Sequence, residues 1–201
     1  MLEVKNVSFR YHRSQPWILH NVDVTIRPGE IVGLQGHSGR GKTTLARILS
    51  GYLTPSAGSV LLDEQPLPCK GFMPVQLLFQ HPEQAVNPRW TAQKILTEGH
   101  RPPAELLEML SIDSSWLDRF PHELSGGELQ RLAVARALGP QTRYIIADEM
   151  TSMLDANTQA QLWQALLEYV RSRRIGILTI AHDRALLERL VHRIAPIFDA
   201  A

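Results

Sequence analysis

The chain has 201 residues, of which 44% are apolar and 20% charged, with a formal charge of +1. That length suits one compact unit with a real core, and so small a charge gives no broad basic field, so nucleic acid is not an expected partner. The single cysteine, Cys69, rules out an internal disulfide and fits a reducing cytoplasm, and no run approaches the roughly 18 apolar residues of a membrane span.

MLEVKNVSFRY alternates like a strand and shows no signal-peptide apolar run. NVDVTIRPGE is a second strand, with Pro28-Gly29 as its turn. EIVGLQG then enters a glycine-rich loop, and KTTLARILSGYL continues as a helix with Gly51 near its end. SVLLDE and VQLLFQ are further strands. From about residue 82 to 123, prolines at 82, 88, 102, 103 and 121 divide short helical pieces, and apolar residues recur at helical spacing, which predicts a helical insertion. GGELQRLAVARAL is a helix, YIIADE a buried strand, NTQAQLWQALLEYVRSRR a long helix and IGILTIAHD a final apolar strand before the closing ERLVHRIAPIFDAA. Arg171, Arg173 and Arg174 read as the cationic end of the long helix. Strands alternating with helices predict an α/β fold on a mostly parallel sheet.

Residues 36–43, GHSGRGKT, fit G-x-x-x-x-G-K-[ST] between a strand and a helix, the setting that a phosphate loop requires. Gly36, Gly39 and Gly41 let the backbone turn its N–H groups onto phosphates without side-chain clash. His37, Ser38, Arg40 and Thr44 complete the cradle. Lys42 is placed for the β- and γ-phosphates of ATP and the Thr43 hydroxyl for Mg²⁺. YIIADE delivers Asp148 and Glu149 to the C-terminal end of a strand, where open α/β sheets bind their ligands. Asp148 suits Mg²⁺, and Glu149 suits deprotonation of an attacking water. A second phosphate-gripping pattern, LSGGELQR at 124–131, lies far along the chain.

With this second pattern the chain resembles, over nearly its whole length, the ATP-binding subunits of ATP-binding-cassette (ABC) transporters, whose signature motif LSGGELQR matches. The resemblance implies the P-loop NTPase fold of ABC ATPases. In that fold a mostly parallel core and an N-terminal antiparallel β-subdomain span 1–81 and 124–201, and a small helical subdomain spans about 82–123. It assigns Tyr11 to stacking on adenine and Gln80 to the γ-phosphate, Mg²⁺ and the membrane partner. It places Asp155, in SMLD at 152–155, among the nucleotide contacts. His182 becomes the histidine that orients the water or contacts the γ-phosphate. Ser125, Gly126 and Gly127 would grip the ATP bound by a second ATPase domain facing this one head to tail, an identical copy or a different chain.

The same resemblance implies integral membrane permease subunits, a place at the cytoplasmic face of the membrane, and, for an importer, an extracytoplasmic solute-binding protein. FQHPEQAVNPRWT, FPHELSGG and DEMTSMLDA are similar to the phrasing of importers for peptides, nickel and metal chelates. A soluble, non-transport cassette ATPase is the alternative, as is a P-loop kinase. Two positions depart from the family: Arg40 stands where a small residue is usual, and Met150 replaces a proline.

Overall fold

The structure, a computed structural model, describes residues 1–198; the last three residues of the unit expected to run to 201 lie outside it. The first strands, β1 (Leu2–Phe9) and β2 (Leu19–Ile26), pair antiparallel, with Leu2 opposite Ile26 and Val4 opposite Val24. Strand β3 (Ile31–Leu34) enters the glycine loop and helix α1 (Lys42–Leu49) leaves it. Strands β4 (Ala57–Leu62) and β5 (Gln65–Pro66) complete a four-stranded antiparallel sheet in the order β2-β1-β4-β5.

Strand β6 (Val75–Leu78) begins the second sheet. After it, residues 82–123 hold two short helices, α2 (Ala92–Leu96) and α3 (Ala104–Met109), with one 3-10 turn before them and two after. The prolines predicted to divide this segment do so: Pro82 and Pro121 open 3-10 turns and Pro103 caps α3. Helix α4 (Gly126–Ala137), strand β7 (Tyr144–Asp148), helix α5 (Ala156–Arg173) and strand β8 (Gly176–Ile180) follow. The closing stretch, to which the sequence assigned no element, forms helix α6 (Arg184–Leu190) and strand β9 (Arg193–Ala195). The second sheet is wholly parallel and runs β6-β7-β8-β3-β9.

Period-two alternation explains why this sheet sorts its neighbours. Ile145, Ala147 and Ile177 face a cluster with Leu132 and Val134 of α4 and Leu162, Leu166 and Val170 of α5. Tyr144, Ile146, Leu178 and Ile180 face the opposite cluster, with Leu45, Ile48 and Leu49 of α1 and the inner residues of β1 and β2. Both faces are covered, so every strand residue of β7 and β8 is buried, as continuous apolar strands require. The insertion has no separate core: Ala92, Leu96, Leu106 and Leu110 join the cluster of α4 and α5. Buried Arg131 strengthens that union by donating to the Leu110 carbonyl at 2.9 Å and to Gln161 Oε1 at 3.0 Å.

The basic end of α5 is as predicted. Arg171 and Arg173 lie in its last turn, Arg173 stacks 3.7 Å above the Tyr169 ring, and Arg174 takes the left-handed conformation that ends the helix.

One glycine tests the antiparallel pairing. Gly58 has φ +82°, and a Cβ there would come 2.4 Å from the carbonyl oxygens of Lys5 and Asn6 across the β1–β4 irregularity. Gly58→Ala is expected to cost about 2 kcal/mol or more, from the positive φ and the backbone clash together. Gly99→Ala, at an open position, should stay within about 0.5 kcal/mol. Urea midpoints of the two variants check this, and equal midpoints would refute the pairing.

Candidate active site

Because β6, β7, β8 and β3 are parallel neighbours, their C-terminal ends lie along one edge of the sheet. Gln80 follows β6, Asp148 ends β7 with Glu149 next to it, His182 follows β8, and the glycine loop follows β3. Gln80, Glu149, His182 and the loop converge on an open cavity of about 500 Å³ lined by Ser38, Gly39, Gly41, Lys42, Thr43, Thr44, Gln80, Glu149, His182 and Ile18, with Asp148 off the lining.

The loop owes its shape to its glycines. Gly39 and Gly41 have φ of +81° and +94°, and a Cβ on Gly41 would come 2.9 Å from the side chains of Ile18 and Leu19. Lys42, 5% exposed, donates from Nζ to the Gly36 carbonyl at 2.6 Å and the His37 carbonyl at 2.9 Å, so the loop curls around its own ammonium. Gly36 is closed from behind by Phe198, whose Cβ would lie 2.7 Å from an added Cβ. Gly36 and His37 therefore shape the loop from outside the cavity wall, and exposed Arg40 also lies off the lining.

Asp148 is 7% exposed at the end of an apolar strand, and burial pushes its carboxyl above the ordinary carboxylate value, with Glu149 adding to the rise. The Thr43 hydroxyl bonds to it, and Lys42 and Arg47 nearby, opposing the rise. Its Oδ1 is buried with no hydrogen-bond partner among the described residues. A buried carboxylate oxygen without a partner, beside the hydroxyl of exposed Thr43, is a donor set that fits a hard divalent cation. Glu149 stands in the left-handed region at φ +51°, held by its N–H to the Ile180 carbonyl at 3.1 Å. Its Oε1 meets His182 Nε2 at 2.9 Å, with the glutamate side chain 16% and the histidine 50% exposed. Strained backbone at a cleft wall, paired with an imidazole, is what an aimed general base looks like.

Other predicted residues lie elsewhere. Tyr11 is 51% exposed, packed edge-on against Phe9 with centroids 5.0 Å apart, and is not on the cavity lining. Asp155 caps α5, accepting from the N–H groups of Asn157 and Thr158 at 3.0 and 3.1 Å, and these bonds, Thr158 foremost, hold its carboxyl below the usual range. Ser125 caps α4 in a reciprocal box: its Oγ accepts from Glu128 N at 3.3 Å, and Glu128 Oε2 accepts from Ser125 N at 2.7 Å. A Cβ on Gly126 would meet nothing within 4 Å, so the N-terminus of α4 is open. None of the three signature residues lines the cavity.

The sequence reading passed over Ile18 on the wall, and Trp17 beside it, 42% exposed with Arg10 4.4 Å over its ring. It also passed over Ser152 as a partner of Gln80, at 3.2 Å. Ile18 and Trp17 carry no motif, and SMLD does not mark Ser152 as a partner of Gln80; only the hairpin approach of residue 18 to Phe9 and the folded loop after Glu149 reveal them.

The profile of the ABC transporter family matches residues 19–152. Among curated proteins, the nickel import ATP-binding protein NikE of Shigella dysenteriae is 36% identical, covering 96% of this chain and 82% of its own length. The nickel import system ATP-binding protein NikE of Staphylococcus aureus is 34% identical over 99% of this chain and 87% of its own length. A peptide ABC transporter ATP-binding protein of Sinorhizobium fredii is 32% identical over 98% of this chain and 64% of its own. Among solved structures, a dimeric ATP-binding cassette in a post-hydrolysis state bound to ADP and Pi superposes with a TM-score of 0.81 at 27% identity, covering 96% of this chain and 93% of that one.

The burial of Asp148 sets a pH dependence. Its folded pKa lies above the unfolded value, so the folded chain holds the proton to higher pH, and ionisation opposes folding once the pH exceeds the ordinary value of 3.8. Asp148→Asn is therefore expected to raise stability near neutral pH. The gain should shrink as the pH falls through the raised folded pKa and vanish below the ordinary value. Denaturant midpoints across the acid-to-neutral range measure it; a variant less stable than the parent at neutral pH would contradict the assignment.

Proposed function

The chain belongs to the ABC transporter family, and from that membership we propose that its ATP is held and hydrolysed between two ATPase subunits by the residues described above. It is an ATP-binding subunit whose ATPase activity is coupled to transport. The observation that carries the two-subunit reading is a separation. One chain assembles the phosphate loop, Glu149, His182 and Gln80 around one cavity, with Asp148 beside Thr43 just behind it, while the N-terminus of α4 at Ser125–Gly127 stays off it. A head-to-tail pair brings each α4 N-terminus to the other's cavity and completes both sites. The dimeric cassette with ADP and Pi supports this arrangement.

In the site so formed, Lys42 turns from the Gly36 and His37 carbonyls to the β- and γ-phosphates, and the loop amides hold their oxygens. Asp148 and Thr43, with Gln80, would hold Mg²⁺, which neutralises phosphate charge when bound. Glu149 takes a proton from the attacking water as the water oxygen bonds to the γ-phosphorus and the bond to the β–γ bridging oxygen breaks, releasing ADP and phosphate. His182 holds the carboxylate in line. Exposed Tyr11 offers its ring to the adenine.

Among the described residues no helix is long and apolar enough to cross a membrane. From the family membership we infer that permease subunits supply the channel and that this chain is peripheral at the cytoplasmic face. The nickel and peptide relatives support import of peptides, nickel or a metal chelate as the task, with a solute-binding protein delivering the cargo.

Glu149→Gln should keep ATP binding and lower turnover by about 100-fold or more, the typical worth of a general base; unchanged turnover would remove Glu149 from that role. Ser125→Arg should leave nucleotide binding by the monomer intact and abolish hydrolysis. A normal ATPase rate there would refute the shared site.

A further inference from the structure

Gln80 sits on the cavity wall with its amide already engaged. Its Nε2 donates to Ser152 Oγ at 3.2 Å, across 72 residues of sequence. Ser152 is presented by a folded segment. Its own N–H bonds to the Glu149 carbonyl at 3.0 Å, and Leu154 N–H bonds to the Thr151 carbonyl at 3.1 Å. Thr151 is buried, and its hydroxyl oxygen accepts from Gln159 Nε2 at 2.8 Å and Trp163 Nε1 at 3.2 Å, which pins the segment to α5. The backbone that presents this hydroxyl to Gln80 is therefore fixed from below, one turn beyond Glu149.

We propose that Ser152 is a positioning residue: it holds the Gln80 amide in the orientation that meets the γ-phosphate, and so helps the site tell ATP from ADP. This rests on the assignment of Gln80 to the γ-phosphate made above. A glutamine amide carries two N–H groups and one carbonyl, so it can keep its bond to Ser152 and still address the cavity. A free glutamine side chain loses rotamer freedom when a ligand captures it, whereas one already held does not. The arrangement also has reach. Gln80 leads directly into the insertion, and the segment bearing Ser152 runs beside α4, where a Cβ added to Gly127 would lie 3.8 Å from Leu154 Cδ2. One hydroxyl thus joins the segment after Glu149 to the residue that leads into the insertion.

The test is a double-mutant cycle on the full chain, titrating β,γ-imido-ATP and ADP calorimetrically into the parent, Ser152→Ala, Gln80→Ala and the double variant. Ser152→Ala should weaken the ATP analogue by about two- to fivefold, the worth of one exposed neutral hydrogen bond, and leave ADP unchanged. In the Gln80→Ala background the same substitution should have no further effect, and Ser152→Thr, which keeps the hydroxyl, should bind like the parent. Equal weakening of ADP and the analogue would mean a general loop defect and overturn the proposal. So would a loss that persists without Gln80, or an unchanged Ser152→Ala. If neither nucleotide binds the parent chain, the nucleotide-site assignment itself falls and takes this inference with it.

Discussion

The parallel alignment of β6, β7, β8 and β3 is the constraint on which the site depends. Parallel neighbours point their C-terminal ends the same way, so four loops from distant parts of the sequence open on one edge. The register places Leu78 opposite Ala147, Asp148 opposite Ile180 and Leu34 opposite Ile180, so the last residues before each loop are level. An antiparallel exchange of β8, for example, would send His182 to the other edge and leave Glu149 without its partner. Parallel strands must be covered on both faces, which the two apolar clusters accomplish: α4, α5 and the insertion on one side, α1 and the antiparallel sheet on the other.

That cover has an electrostatic consequence. It makes the end of β7 a dry place, and Asp148 sits there with a raised carboxyl and a carboxylate oxygen that no protein group satisfies. Such an arrangement opposes folding, and a carboxyl perturbed in this way marks a candidate site. The left-handed Glu149 beside it is a second local cost held in place by tertiary bonds. Lys42, Glu149 and Gln80 each rest on a partner within the chain, namely the loop carbonyls, His182 and Ser152. The chain thus holds all three side chains in place with bonds of its own.

Much of this was legible from residue order. GHSGRGKT and YIIADE name their chemistry because each is a local device: a glycine loop needs its glycines in sequence, and a strand carrying acids to its end needs an apolar run just before them. Asp155 shows where a motif position and a fold position differ, since its carboxylate caps α5 and faces the helix N-terminus, which any Asp before a helix can do. The insertion was visible as helical pieces between prolines, but not its burial into the α4–α5 cluster, because helical spacing marks an apolar face without saying which surface covers it. The short α6 and β9 were missed for a related reason: β9 is three residues long, and only its pairing with β3 makes it a strand.

The sequence by itself determined the elements up to β8, the phosphate loop, the acid pair and the family, because each is written in neighbouring residues whose backbone geometry and side-chain chemistry are short-range. The tertiary structure alone decided which groups meet: His182 on Glu149, Ser152 on Gln80, Ile18 against Gly41, Phe198 behind Gly36, and the signature helix kept off its own cavity. These contacts join residues up to 162 positions apart, as Gly36 and Phe198 are. They follow from strand order and packing, which no local pattern encodes.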